Sequence, residues 1–167
     1  MERNNLIRKI QTECPLCDKV HEIEKRTRIA RTIIKGEEIE YKETYYFCKN
    51  SDEDENEFVT GKLENENLLN ARNAYRRVHG LLTSDEIVSI RESYGLSQID
   101  LAKLLGWGEA TISRYESKAI QDEAYDNILR AIKENPLSAY EYLQKNSEKF
   151  TGLKKLEIKQ KILDNLD

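Results

Sequence analysis

From Ser97 to Glu116 the chain tolerates very few folds. Ser97-Gln-Ile-Asp-Leu-Ala-Lys-Leu-Leu-Gly106 runs directly into Trp107-Gly-Glu-Ala-Thr-Ile-Ser-Arg-Tyr-Glu116. Ser97 is placed to cap a helix, because its side-chain oxygen can take one of the backbone N–H groups that a first turn leaves without a partner. Ile99, Leu101, Ala102 and Leu105 recur at helical spacing and form the expected inward face. Gly106 can end that helix in the left-handed conformation. A second helix then carries Ala110, Thr111, Ser113 and Arg114 outward, while Ile112 and Tyr115 anchor it. Two short helices joined by a tight glycine turn, the second of them narrow and polar on its outer side, have the geometry of a helix-turn-helix that enters a DNA major groove.

Ser97-Gln98 and Ser113-Arg114-Tyr115-Glu116 make the stretch from about Ser84 to Asn135 resemble the Xre/Cro class of repressors. On this reading Arg114 is the direct reader, since a guanidinium can donate two bonds to guanine O6 and N7. Thr111 can bond a base or pack its methyl on thymine. Ala110 and Ser113 share the recognition surface. Glu109 could accept from cytosine N4, although a solvated acid at a helix end is its plainer reading. Ser97 and Gln98 are placed to meet phosphate, with Lys118 beside them, and Trp107 reads as a packing residue of the turn.

The net charge of −4 and the isoelectric point near 5.4 exclude a protein that coats nucleic acid indiscriminately, since such binding needs a broad cationic excess. A dimeric operator-binding repressor needs only a local cluster of cations. No apolar run approaches the ~20 residues of a membrane span, and the first residues carry no signal-peptide pattern. These readings place the chain in the cytoplasm. Only two histidines are present, with no phosphate-cradling glycine loop and no Ser-His-Asp or HExxH constellation, so the chain does not read as an enzyme.

The fold class expected is α+β: a small N-terminal antiparallel β domain of zinc-ribbon type, then an all-α five-helix helix-turn-helix domain. Strands are expected around Val20 to Glu24, Arg28 to Ile34 and Glu38 to Phe47, with a turn at Lys35–Glu38. The acidic run from Asp52 to Glu57 reads as a solvated loop or, alternatively, a contact for a basic partner. A connecting helix follows over Asn67–Val78, with Leu68, Leu69, Ala71, Tyr75 and Val78 on its apolar face. Its Arg76-Arg77 pair reads as structural, with DNA backbone as the alternative. Further helices are expected over Asp85–Tyr94, in the helix-turn-helix, over Asp122–Glu134 and over Leu137–Asn146. The last segment, from Leu153 onward, is amphipathic through Leu156, Ile158, Ile162, Leu163 and Leu166; it either packs on a partner helix, continues into a longer protein or frays. The domains are accordingly drawn at 1–62, 63–82, 83–150 and 151–167.

Cys14-Pro-Leu-Cys17 has the spacing of a metal knuckle, in which two thiolates can hold one tetrahedral ion. Its loop-and-strand flanks favour zinc over a redox dithiol, which would sit between a strand and a helix. A zinc ribbon needs a second knuckle, and at the end of the meander only Cys48 is present; Ser51 stands where the fourth thiolate belongs. A neutral hydroxyl is a poor zinc ligand. His21, which taken alone reads as a surface histidine, Asp52, another nearby acid or water could be the fourth ligand, or the site could have lost its metal.

An N-terminal CPxC, a β meander, a returning aromatic-Cys segment, a linker helix and an Xre-type helix-turn-helix together resemble the MqsA-type antitoxins over most of Glu13 to Asn146. The resemblance implies a homodimer whose zinc-binding N-domain holds a protein toxin and whose C-domain binds operator DNA and represses its own operon. The chain departs from the family at Ser51, where a cysteine is expected, and at Ala110, where the recognition helix can carry a base-reading asparagine. A stand-alone Xre-type regulator without a toxin, and a CxxC redox protein, are the alternatives.

Overall fold

The computed structural model describes residues 5–51 and 54–166. The chain divides after Tyr75 into two compact units. The first is built on one antiparallel sheet in the order β1-β2-β3-β4, with β1 at Asn5–Glu13, β2 at Val20–Ile34, β3 at Glu37–Phe47 and β4 at Glu57–Phe58. The sequence expectation of three strands between residues 20 and 47 is corrected in two ways. The segments around Val20–Glu24 and Arg28–Ile34 are one 15-residue strand. The outer strand comes instead from Asn5–Glu13, upstream of the cysteine knuckle, and eight of its nine residues are exposed, so it carries no buried alternation to read.

The β2–β3 hairpin turns where the sequence places it. Lys35 and Gly36 both take positive φ (50° and 81°), which a two-residue hairpin of the twist-compatible kind requires at its central positions. Across the sheet, Arg28 of β2 donates to Glu43 at 2.9 Å and to Glu57 at 2.7 Å while its guanidinium lies over the Tyr45 ring. The end of the expected acidic loop is therefore tied into β4 through Glu57. Asp52 and Glu53 lie outside the described residues.

Helix α1 (Gly61–Val78) begins six residues earlier than the sequence suggests, because Thr60 caps it by accepting from the Leu63 N–H. Leu63, Asn67, Ala71 and Tyr75, four apart, are buried along it in the first unit, with Asn73 also buried, whereas Leu68 and Val78, expected on the apolar face, are exposed. Asn67 closes the open edge of β3: its side chain accepts from the Thr44 N–H and donates to the Thr44 carbonyl, both at 2.8 Å. An unpaired strand edge is thereby satisfied by one amide.

In the second unit α2 (Ser84–Ser93), α3 (Gln98–Leu105), α4 (Thr111–Ser117), α5 (Glu123–Glu134) and α6 (Pro136–Lys145) are followed by a 3₁₀ turn over Ser147–Lys149 and by α7 (Gly152–Asp164). Local chemistry sets these limits. Thr83 and Glu86 form a reciprocal capping box at the start of α2, Asp122 caps α5, and Asn135 ends α5 while capping α6 with Pro136 in its first turn. Leu82, Ile87, Leu101, Leu104, Ile112, Leu129 and Ile132 fill one core. The C-terminal segment does not fray. Thr151 caps α7, Ile158 and Ile162 bury it in the core, and Asn165 donates to the Ser93 carbonyl at 2.8 Å. Leu156, Leu163 and Leu166, also expected inside, are exposed.

Candidate nucleic-acid interface and metal centre

The helix-turn-helix is assembled as its sequence implies, apart from one residue. Ser97 Oγ accepts from the Asp100 N–H at 3.1 Å. Gly106 ends α3 at φ 74°, and the Trp107 N–H returns to the Ala102 carbonyl at 2.8 Å. The inward face of α3 is Leu101, Ala102, Leu104 and Leu105, whereas Ile99 is 47% exposed. At 100° per residue Ile99 lies about 140° from the centre of that buried face. Ile112 is fully buried under α4, and Trp107 packs against Tyr115 and Tyr125 with ring centroids 6.4 and 4.5 Å away. Trp107 is thus a packing residue.

On the outer side, Ser97, Glu109, Ala110, Arg114 and Lys118 are exposed, with Gln98, Thr111 and Ser113 half-buried. The Arg114 guanidinium makes no hydrogen bond or ion pair among the described residues. Ser113 donates its hydroxyl to the Ala110 carbonyl at 3.1 Å. Gln98 is committed in part: its Nε2 donates to Glu116 at 3.1 Å. Glu116 also accepts two bonds from Arg91, at 2.8 and 2.9 Å, and Arg91 gives a third to the Leu96 carbonyl at 3.1 Å. Glu116, the last residue of the Ser-Arg-Tyr-Glu signature, therefore faces inward and locks α4 to α2. Burial opposes the charge on Arg91, but the stronger influence is the Glu116 carboxylate, which raises its pKa. Sequence reasoning missed Arg91, which sits on a different helix with nothing local to mark it.

Arg76 is the structural residue its first reading made it, and the alternative of a DNA-backbone contact falls away. It is fully buried, donates from Nε to Gln121 Oε1 at 3.0 Å, and donates from Nη2 to the Tyr115 and Ala119 carbonyls at 2.7 Å each. Gln121 passes the chain of bonds to the Leu82 carbonyl and to Asp126, which also accepts from the Leu82 N–H and from Arg130.

At the other site Cys14, Cys17, His21 and Cys48 bring four ligand atoms within 4.8 Å of one another. Of the fourth ligands considered, His21 at the start of β2 is the one that lies beside the three cysteines. Zn–S bonds of about 2.3 Å and Zn–N bonds of about 2.0–2.1 Å at tetrahedral angles imply edges of about 3.8 Å between sulfurs and about 3.5 Å between sulfur and nitrogen. Cys48 Sγ lies 3.8 Å from Cys17 Sγ and 3.5 Å from His21 Nε2. His21 Nδ1 sits 2.9 Å from the Glu22 carbonyl, so Nε2 is the ring nitrogen that faces the sulfurs. The knuckle itself is shaped by Asp18 at φ 56°, by the Asp18 N–H on the Cys14 carbonyl at 2.9 Å, and by the Leu16 N–H aimed at Cys14 Sγ at 3.4 Å. The donor set fits a closed structural metal site.

Ser51 serves this cluster as a donor, with its hydroxyl 3.3 Å from Cys48 Sγ. Burial pushes the Cys14 thiol up. At Cys48 burial works the same way, but the hydrogen bonds from Ser51 and the Asn50 N–H outweigh it and bring the thiol down to about 6. The remaining ligand considered, Asp52, lies outside the described residues.

A family described as helix-turn-helix matches residues 87–123, from within α2 to the first residue of α5. That segment is a DNA-binding domain of the Xre/Cro kind, typical of transcriptional regulators that are not enzymes. No curated protein and no solved structure matches the chain. No helix among the described residues is long and apolar enough to cross a membrane.

Proposed function

We propose that the chain is a sequence-specific transcriptional repressor and the antitoxin of a toxin–antitoxin pair. Its second unit reads operator DNA as a homodimer, and its first unit holds a zinc ion and the partner toxin. The observation that carries the DNA reading is the outward Arg114 on a rigidly supported α4, within the segment that matches a DNA-binding family. In this reading Arg114 and Thr111 contact base edges, with Glu109, Ala110 and Ser113 alongside. Ser97, the remaining N–H donor of Gln98, and Lys118 meet phosphates. Two half-sites one helical turn apart, about 34 Å, call for two copies of α4 and hence a dimer.

The zinc reading is supported by the Cys14–Cys17–His21–Cys48 geometry, which favours a metal over a redox dithiol because a third sulfur and an imidazole converge on the pair. Its role is structural: three thiolates and a histidine close all four positions and leave none for a substrate. Among the described residues the buried cluster around it is Cys14, Ile23 and Cys48, with Cys17, Tyr46 and Phe58 partly buried against it, so a bound ion would supplement a small core at this end of the sheet. The antitoxin role rests on the MqsA-like order of knuckle, meander, linker helix and helix-turn-helix.

The test has two arms. The full chain is titrated with its own promoter fragment and a scrambled duplex across a salt series, and it is co-purified with the product of the adjacent gene. Selective binding together with a stable complex that neutralises the neighbour's toxicity is expected. Selective binding without such a complex would leave a stand-alone regulator, and indifference to sequence would reject DNA readout.

A further inference from the structure

Arg76 lies eleven residues upstream of the segment that matches the helix-turn-helix family. Yet its guanidinium ends on the recognition helix. A helix's last carbonyls have no intrahelical partner and carry the negative end of its dipole. In α4 the Tyr115 carbonyl is one of these, and Ala119 follows just past the Lys118 cap. Arg76 takes both at 2.7 Å with a single nitrogen. Its Nε is fixed by Gln121, itself fully buried and held by Leu82 and Asp126. A planar guanidinium fork oriented in this way defines a direction as well as a contact.

Helix α4 needs such support. It has seven residues and no side-chain hydrogen bond at its N-cap, and a helix so short has little stability of its own. Ile112 sets its depth and the Arg91–Glu116 pair sets its rotation. The remaining degree of freedom is the position of its C-terminal end, and Arg114 immediately precedes the residue whose carbonyl Arg76 holds. Full burial also means that Arg76 cannot reach a phosphate.

We propose that Arg76 is a positioning residue of the DNA interface, clamping the C-terminal end of the recognition helix so that Arg114 and Thr111 are presented to base edges. The inference rests on the DNA reading above. It assigns to α1 a part in sequence recognition that lies outside the helix-turn-helix segment.

The experiment compares the full-length wild type with Arg76→Lys and Arg76→Gln, at a temperature where circular dichroism shows each folded. Amide hydrogen exchange is read along α3 and α4, and binding to the promoter fragment and to a scrambled duplex is read across a salt series. Both variants should exchange at least tenfold faster at Ser113–Ser117 while α3 keeps its protection. Operator affinity should fall at least tenfold, with a smaller operator-to-scrambled ratio and an unchanged slope of log K against log salt, since no phosphate contact is lost. Unchanged α4 exchange, or unchanged operator binding by a folded variant, would overturn the proposal. So would a slope smaller by about one, which marks a lost phosphate contact, or wild-type behaviour of Arg76→Lys should Arg76→Gln fail to fold. A wild type indifferent to sequence would instead reject the DNA reading, and this inference with it.

Discussion

Replacing Glu116 should unlock α4 from α2, and the structure sets the size of the effect. The Glu116 side chain is 6% exposed and that of Arg91 17%. Removing the carboxylate strands two guanidinium N–H groups and the Gln98 amide, while the Leu96 carbonyl still receives one bond from Arg91. Breaking a buried ion pair from one side costs about 3–5 kcal/mol. The retained Leu96 bond and the partial exposure of Arg91 put Glu116→Leu near the lower end, at about 3 kcal/mol. Arg91→Met should cost a similar amount, because it strands the carboxylate. The double variant leaves no uncompensated charge, so it should cost about 2–3 kcal/mol less than the sum of the single changes. The chain's only tryptophan, Trp107, packs on Tyr115 beside this pair, so its fluorescence follows unfolding of the second unit alone. With a urea slope of about 1.5 kcal/mol/M, each single variant should lower the midpoint by roughly 2 M. Additive effects, with a coupling below about 0.5 kcal/mol, would refute the account of Glu116 as a buried clamp.

Asp126 gives the second unit an acid-sensitive element. Burial acts to raise its carboxyl, but hydrogen bonds from Arg130, the Leu82 N–H and Gln121 prevail and hold it below 3.8. A depressed carboxyl stabilises above its unfolded value and loses that contribution as pH falls through the folded one. The midpoint gap between wild type and Asp126→Asn should therefore be constant from pH 5 to 8 and shrink below about pH 4; a constant gap down to the acid limit would contradict this. In the first unit, Asn67→Ala should expose the Thr44 amide and speed its hydrogen exchange while the β2–β3 ladder stays protected, and equal protection would show that Asn67 does not close that edge. Elemental analysis should find about one zinc per chain, lost in His21→Ala, whereas metal retained without His21 would point to another ligand.

The helical unit was legible because its signals are local. Thr83, Ser97 and Asp122 each announce a helix start within one turn, and Gly106 announces an end. Side-chain placement across elements was harder. Ile99 looks apolar and helical but falls on the wrong side of α3, and the inward turn of Glu116 depends on Arg91, 25 residues away. The hairpin turn at Lys35-Gly36 could be read, whereas β1 could not, because an outer strand exposed on both faces leaves no alternation. The cysteines marked three members of the candidate metal cluster by spacing. The fourth, His21, was hidden because it comes to Cys48 only through the pairing of β2 with β3, which a linear sequence does not display.

The most direct measurement is the affinity of wild type and Arg114→Ala for the chain's own promoter fragment and for a set of single-base variants of its binding site. Wild type should lose about 1–3 kcal/mol at one guanine position that Arg114→Ala no longer distinguishes, with affinity for the intact site reduced by a similar amount. Equal binding of both proteins to every duplex would contradict the claim that α4 reads DNA through Arg114.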